Sequence, residues 1–358
     1  MAKELSTGHT RGLAQRIALG AMVVIGAFLI ILPLATNLPG KTAATGNMMT
    51  AFRPQMSDAA LAQSNADLQT MSAMGGQLST AMLPALAAQM HMTTAQLSSY
   101  IAKNYPAVGK GLAEFGTILP SFASLQSTMQ AQQSNFQQAD QIPTKSLPPT
   151  AMTWLFVLPG AALLLLGLFG IVRPRLGRPM LAAAGAVGLI VVISTLATSM
   201  SSKATAADQM TNAFKPVFTT QSAQQARADT TTVTAMATEF STKALPGIAA
   251  ALKITPAQLS AMITTQFPAV ATGVAQLPQI LPRLEASTSL IESNVDNFNQ
   301  SASIPWSPGS MISMFWFMMV SALLAVAFAA GALLLTVGRG TLAKVGTTRP
   351  LAGAVHRT

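Results

Sequence analysis

The chain has 358 residues, of which 50% are hydrophobic and only 9% are charged, and its mean hydropathy is +0.45. Soluble proteins carry about a quarter charged residues, so this composition excludes an ordinary soluble protein and indicates a membrane protein. The absence of cysteine excludes disulfides, thiolate metal sites and cysteine nucleophiles.

Four apolar stretches without an ionisable residue follow one another along the chain. Each has about 19 residues or more, which is enough for a helix to cross about 30 Å of hydrocarbon. The predicted transmembrane helices cover residues 17–36, 154–172, 180–198 and 312–337. The first exceeds the apolar core of a usual signal peptide, so we expect it to be retained. The parts between them are predicted to be a tail (1–16), a first large domain (37–153), a loop (173–179), a second large domain (199–311) and a tail (338–358).

The basic residues lie in the short parts of the chain, and they set the predicted orientation. Residues 1–16, 173–179 and 338–358 have charges of +2, +3 and +4, out of a net charge of +10. Because positive loops stay in the cytoplasm, both termini and the 173–179 loop are predicted to be cytoplasmic, and both large domains extracytoplasmic. The basic balance is therefore a topology signal, and no nucleic-acid partner is expected.

An internal repeat is the clearest pattern in the sequence. The stretch AFRP at residues 51–54 returns as AFKP at 213–216, and TTAQL at 93–97 returns as TPAQL at 255–259. Residue numbers 213 minus 51 and 255 minus 93 both give 162, and further pairs keep this offset. The sequence therefore predicts a tandem duplication of one unit (span, helical domain, span), with a pseudo-two-fold axis along the membrane normal.

The large domains show helical signals and no strand signals. Thr93 with Gln96, and Thr255 with Gln258, fit capping boxes at helix starts. Apolar residues recur every seven positions from Val108 to Phe136, as in helices packed along a seam. Pro120 and Pro282 are predicted to kink or divide these helices. The predicted fold class is an all-α membrane protein in which each large domain is a separate bundle of three to five helices.

No arrangement of residues indicates catalysis, a metal site or a cofactor. The three histidines are isolated in sequence, and no nucleotide-binding, hydrolase or zinc motif occurs. The recurring charges have two structural interpretations, solvated helix surface or an Arg53–Asp67 ion pair between two helices, and these are favoured because surface ion pairs are common. The functional interpretation is a polar contact with a ligand or partner. The interaction candidates are Phe52, Arg53, Asp67, Phe214, Lys215 and Asp229.

These patterns favour a non-enzymatic protein of the bacterial cytoplasmic membrane. The first hypothesis is an envelope scaffold or binding protein, whose partners are the bilayer and another membrane or envelope protein. The second is a carrier that handles lipids or another apolar ligand between the two halves. The spans lack the ionisable residues of ion-coupled transporters, so this hypothesis has less support. The third is a ligand sensor that signals through a partner.

Overall fold

The computed structural model describes residues 2–144, 146–304 and 310–337, and these are helical almost throughout, without a β-strand. The predicted tail 338–358 lies outside the described residues. The helices of the first half are α1 (Ala2–Ala35), α2 (Leu38–Phe52), α3 (Asp58–Gln77), α4 (Leu83–Gln89), α5 (Thr94–Asn104), α6 (Pro106–Ala139) and α7 (Ala151–Val172). Those of the second half are α8 (Gly177–Ala197), α9 (Met200–Phe214), α10 (Thr220–Glu239), α11 (Leu245–Ala251), α12 (Pro256–Gln266), α13 (Pro268–Ala302) and α14 (Met311–Val337).

Four helices are long and apolar enough to cross a membrane, which confirms the prediction of four such helices. The apolar stretches are Gly12–Ala35, Ala151–Val172, Pro174–Ala197 and Met311–Leu335. The helix of the first stretch already begins at Ala2, so the predicted tail 1–16 is helical where it is described. Such helices are typical of a multi-pass membrane protein.

The chain divides into two compact units. The membrane unit comprises α1, α7, α8 and α14 with their adjoining residues, and the bundle unit comprises Ala44–Asp140 and Gln209–Ala302. In the part of the chain that the structure describes, the large apolar side chains that are exposed all belong to the membrane unit. The membrane unit therefore has a surface suited to lipid, unlike the bundle unit.

Within the membrane unit, α1 packs against α7 and α8 packs against α14, while α7 also contacts α8 and α1 also contacts α14. Small residues allow the close approach. A Cβ on Gly26 would lie 2.5 Å from the Gly160 oxygen, and one on Gly188 would lie 2.8 Å from the Ala322 oxygen. Helices in lipid associate through such close contacts, because burial from water contributes nothing there.

In the bundle unit, α3, α6, α10 and α13 form a ring of four helices. Helices α3 and α10 each pack against both α6 and α13. The sequence predicted a separate bundle for each large domain, whereas Ala44–Asp140 (the first segment) and Gln209–Ala302 (the second segment) share one core. The reason is that α3 and α6 alone form a single layer with one apolar face uncovered, and the second segment covers it.

The shorter helices α4, α5, α11 and α12 close one end of this ring around a second apolar cluster drawn from both segments. Both predicted capping boxes are present, at Thr93–Gln96 and Thr255–Gln258. The prolines were predicted to kink or divide the long helices, and they do not divide them, since α6 continues through Pro120 and α13 through Pro282. Tertiary packing along the whole length of these helices compensates for the missing backbone hydrogen bonds.

A π-helical turn follows both α3 and α10, at Leu78–Met82 and Phe240–Ala244. Pro84 and Pro246 stand two residues after these turns and lack the N–H that an α-helical bond would need. The widened turn is thus the local response to proline. It leaves Gln77 and Glu239, the residues just before each turn, facing the other segment.

Gln77 and Glu239 each cap a long helix of the opposite segment. The Glu239 Oε2 accepts hydrogen bonds from the backbone N–H groups of Ala107 and Val108, at 2.6 and 3.1 Å. The Gln77 Oε1 accepts from Ala269 and Val270 at 2.7 and 3.1 Å. These bonds satisfy first-turn donors of α6 and α13 that have no partner within their own helices.

Two non-glycine residues of the bundle unit adopt the left-handed conformation at helix ends. His91, after α4, has φ 55°, and Lys253, after α11, has φ 57°. Each helix ends in a Schellman motif, in which the N–H of Met92 bonds the Ala87 oxygen and that of Ile254 bonds the Ala249 oxygen. His91 and Lys253 therefore share the same role in the backbone, at the end of α4 and of α11.

Replacing His91 by glycine is expected to raise the free energy of unfolding by about 0.5–1 kcal/mol, because glycine adopts this conformation without a steric penalty. Urea unfolding of the purified full-length chain in detergent, followed by circular dichroism, measures the change. Lys253→Gly should behave alike, and His91→Val should destabilise. A loss of stability in both glycine variants would contradict the assignment of strain to these caps.

Candidate functional site

The predicted aromatic candidates meet at a third ring. Phe52 contacts Phe218 edge-on with 5.4 Å between ring centroids, and Phe214 contacts Phe218 with 6.1 Å. Phe298 stacks on the same ring at 4.6 Å. Phe218 is only 4% exposed, so the cluster is part of the apolar interior and joins the two segments.

Of the alternatives for Arg53 and Asp67, the structure does not contain the mutual ion pair, because each residue pairs with another partner. Arg53 donates to both carboxylate oxygens of Asp140, at 2.9 and 2.7 Å. Asp67 accepts two hydrogen bonds of 2.7 Å from Arg283 of the second segment. Hydrogen bonding to the aspartate raises the pKa of both arginines above the ordinary value, so both stay charged.

Asp229 and Lys215 stand at the equivalent positions of the second segment without these partners. Asp229 is 6% exposed and accepts a hydrogen bond of 2.7 Å from Gln225. Position 121, which is Arg283 minus 162, is a serine, and position 302, which is Asp140 plus 162, is an alanine. Lys215 is exposed. The structure therefore gives the two halves different polar sites, although their helices correspond.

The Asp67–Arg283 pair lies in the wall of a cleft of about 380 Å³ in the bundle unit. Helices α3, α6 and α13 form most of this cleft, with Pro54 and Gln55 at one edge and Ala226 of α10. A volume of this size lies within the range of small-molecule binding sites. Its apolar lining residues include Leu61, Leu68, Met71, Phe122, Leu125, Met129, Ile280, Leu284 and Ile291.

A few polar side chains converge on this apolar cleft. Gln126 is 5% exposed and donates to the Leu61 backbone oxygen at 2.8 Å. Thr288, equally buried, shares a hydrogen bond of 2.9 Å with Thr230. Ser64 and Ser287 are half-buried in the wall. An apolar cavity with a few fixed polar groups is the usual composition of a ligand site.

Sequence reasoning found Asp67 but missed Arg283 and Gln126. The repeat itself holds a signal for Arg283, because Ser121 stands at the equivalent position. Positions at which the two similar stretches differ in a charged group are therefore worth comparing in the structure. Glu239, which is 9% exposed, is another such position, since Gln77 is its equivalent.

The described residues contain no group of three His, Cys, Asp or Glu side chains that could hold a metal ion. No family model, curated protein or solved structure matches the chain. Its class is therefore defined by its own geometry: a helical protein with four candidate membrane helices and a helical bundle that contains an amphipathic cleft.

Proposed function

We propose that this protein is a non-enzymatic, membrane-anchored binding protein, whose bundle unit takes up a small molecule in the cleft beside Asp67 and Arg283. The observation that supports this function is the cleft itself, which has a volume of about 380 Å³, a largely apolar wall and the Asp67–Arg283 ion pair at its border. Large apolar patches, which would favour a scaffold for another protein, do not occur on the described surface of the bundle.

In the proposed arrangement, the protein lies in the bacterial cytoplasmic membrane with cytoplasmic termini and an extracytoplasmic bundle. The positive charge in the short parts of the chain supports this orientation. The cavity described among α1, α7, α8 and α14 measures about 10 Å³, which is barely the volume of one water molecule. It offers the carrier hypothesis no support.

The proposal also includes a tandem duplication with pseudo-two-fold symmetry. Contacts that recur at the offset of 162 support it. Lys41 donates to the Ser303 backbone oxygen, and Lys203 donates to the Gln141 backbone oxygen. Gln77 and Glu239 also cap helices of the opposite half, so these contacts too occur twice, once in each direction. A duplicated unit that once formed a homodimer accounts for all of them.

Filling the cleft should abolish ligand binding. Ser64 lies in the cleft wall on α3, whereas its neighbour Asn65 is exposed outside it. Ser64→Trp is expected to remove a co-purifying small molecule or lipid that native mass spectrometry detects on the full-length chain purified from native membranes. Asn65→Trp should leave that species bound at the wild-type level.

Two results would contradict the proposal. One is a bound species that survives Ser64→Trp unchanged, since it would then lie elsewhere. The other is wild-type protein without any bound small molecule but with a stoichiometric protein partner, which would favour the scaffold hypothesis instead.

A further inference from the structure

The guanidinium of Arg283 is held in a fixed orientation while part of it stays available. Its Nε and Nη2 atoms donate to Asp67, at 2.7 Å in both cases. Asp67 is itself fixed by Gln63, which donates to its Oδ1 at 2.9 Å. Among the described residues, no acceptor is bonded to Nη1 of Arg283, and the side chain is 42% exposed in the cleft wall.

The fold does not need this arginine to keep the aspartate buried. Asp229, at the equivalent position, is as buried as Asp67 and has serine in place of the arginine. A purely structural ion pair would be expected in both halves, because the surrounding helices correspond. Arg283 therefore adds a group to one side of the bundle that packing does not explain.

We infer that the cleft binds a single-chain anionic amphiphile, whose carboxylate or phosphate accepts hydrogen bonds from Arg283 and whose hydrocarbon chain lies on the apolar wall. This inference rests on the proposed function and names its ligand class. A positioned guanidinium is the protein group best suited to carboxylate and phosphate oxygens. Phe122, Ile280 and Ile291 supply the apolar surface. A volume of about 380 Å³ lies near the lower end of the range for ligand sites, which favours one chain over a two-chain lipid.

Binding of matched amphiphiles tests the ligand class. The full-length chain in a neutral octyl detergent is titrated with dodecanoate, dodecyl phosphate, dodecanol and dodecyltrimethylammonium, and native mass spectrometry measures one-to-one adducts. The two anions are expected to bind at least about tenfold more tightly than the alcohol, since a charge-assisted hydrogen bond is lost with it. The cation should bind weakest.

Arg283→Ser reproduces the arrangement that the chain already has at Ser121 and Asp229, so the variant is expected to fold. Arg283→Ser should lower the affinity for the two anions to the affinity for dodecanol. Asp67→Asn combined with Arg283→Gln removes both charges and should have the same effect. Arg53→Gln removes an equally bidentate arginine–aspartate pair outside the cleft wall and should leave binding unchanged.

The outcomes separate this inference from the proposed function. Equal binding of all four probes that Ser64→Trp abolishes would overturn the anionic ligand and leave the cleft as a binding site. Binding that neither Ser64→Trp nor Arg283→Ser changes would overturn both. Selective retention of a two-chain phospholipid, dependent on Arg283 while dodecanoate and dodecyl phosphate fail to bind, would overturn the single-chain class.

Discussion

Glu239→Ala is expected to lower the free energy of unfolding by about 2 kcal/mol. The variant leaves the N–H groups of Ala107 and Val108 without an acceptor at the buried start of α6. The lost carboxylate also interacts favourably with the positive end of the helix dipole. Urea unfolding of the full-length chain in detergent measures the loss.

The matched position in the first segment supplies the control. Gln77 makes the same pair of contacts to Ala269 and Val270 with a neutral amide. Glu239→Gln should therefore keep the geometry and cost less than about 1 kcal/mol, because only the charge is lost. An equal loss for the alanine and glutamine variants would contradict a hydrogen-bonding role for the side chain.

Gly111→Ala is expected to destabilise the bundle by about 1–3 kcal/mol, although alanine is normally the better helix former. A Cβ at Gly111 would lie 2.4 Å from the Sδ and 2.7 Å from the Cβ of Met236 in α10. The same contact occurs between Gly273 and Met74, where a Cβ would lie 2.5 Å from the sulfur. Each methionine fills the notch of a glycine in the opposite segment.

A substitution at a second glycine of α6 distinguishes the effect of overpacking on stability from the effect of helix propensity. Gly116 has nothing within 4 Å of an added Cβ, so Gly116→Ala should stabilise the chain by about 0.5–1 kcal/mol. In a double-mutant cycle, Gly111→Ala and Met236→Ala should show a favourable coupling energy of at least about 1 kcal/mol, because Met236→Ala removes the sulfur that the added methyl group would meet. Stabilisation by Gly111→Ala itself would show that the helices do not approach this closely.

The sequence was sufficient to predict where helices begin but not which helices pack together. Thr93 and Thr255 mark helix starts because a capping box is a local structure. Met74 could pack on Gly111 of its own segment or on Gly273 of the other with the same hydrophobic pattern, because the two glycines are equivalent in the repeat. Periodicity therefore identifies the buried faces and cannot distinguish internal from exchanged pairing.

The sequence predicted only one member of the ion pair in the candidate site, for a related reason. Asp67 recurs as Asp229 and was found as part of the repeat, whereas Arg283 has no equivalent arginine and looks like an ordinary surface residue. Its distance from Asp67 along the chain, 216 positions, gives no local signal. Only the three-dimensional arrangement of α3 beside α13 brings the pair together.

The caps between the two segments join residues that the ribosome synthesises at different times. Gln77 meets its partner at Ala269, which is translated 192 residues later. At about 5–20 residues per second, the first segment waits roughly 10–40 s before the chain that completes its core exists. During that interval α3 and α6 expose the apolar faces that the second segment will cover. Apolar surface that is exposed for so long promotes aggregation of the nascent chain.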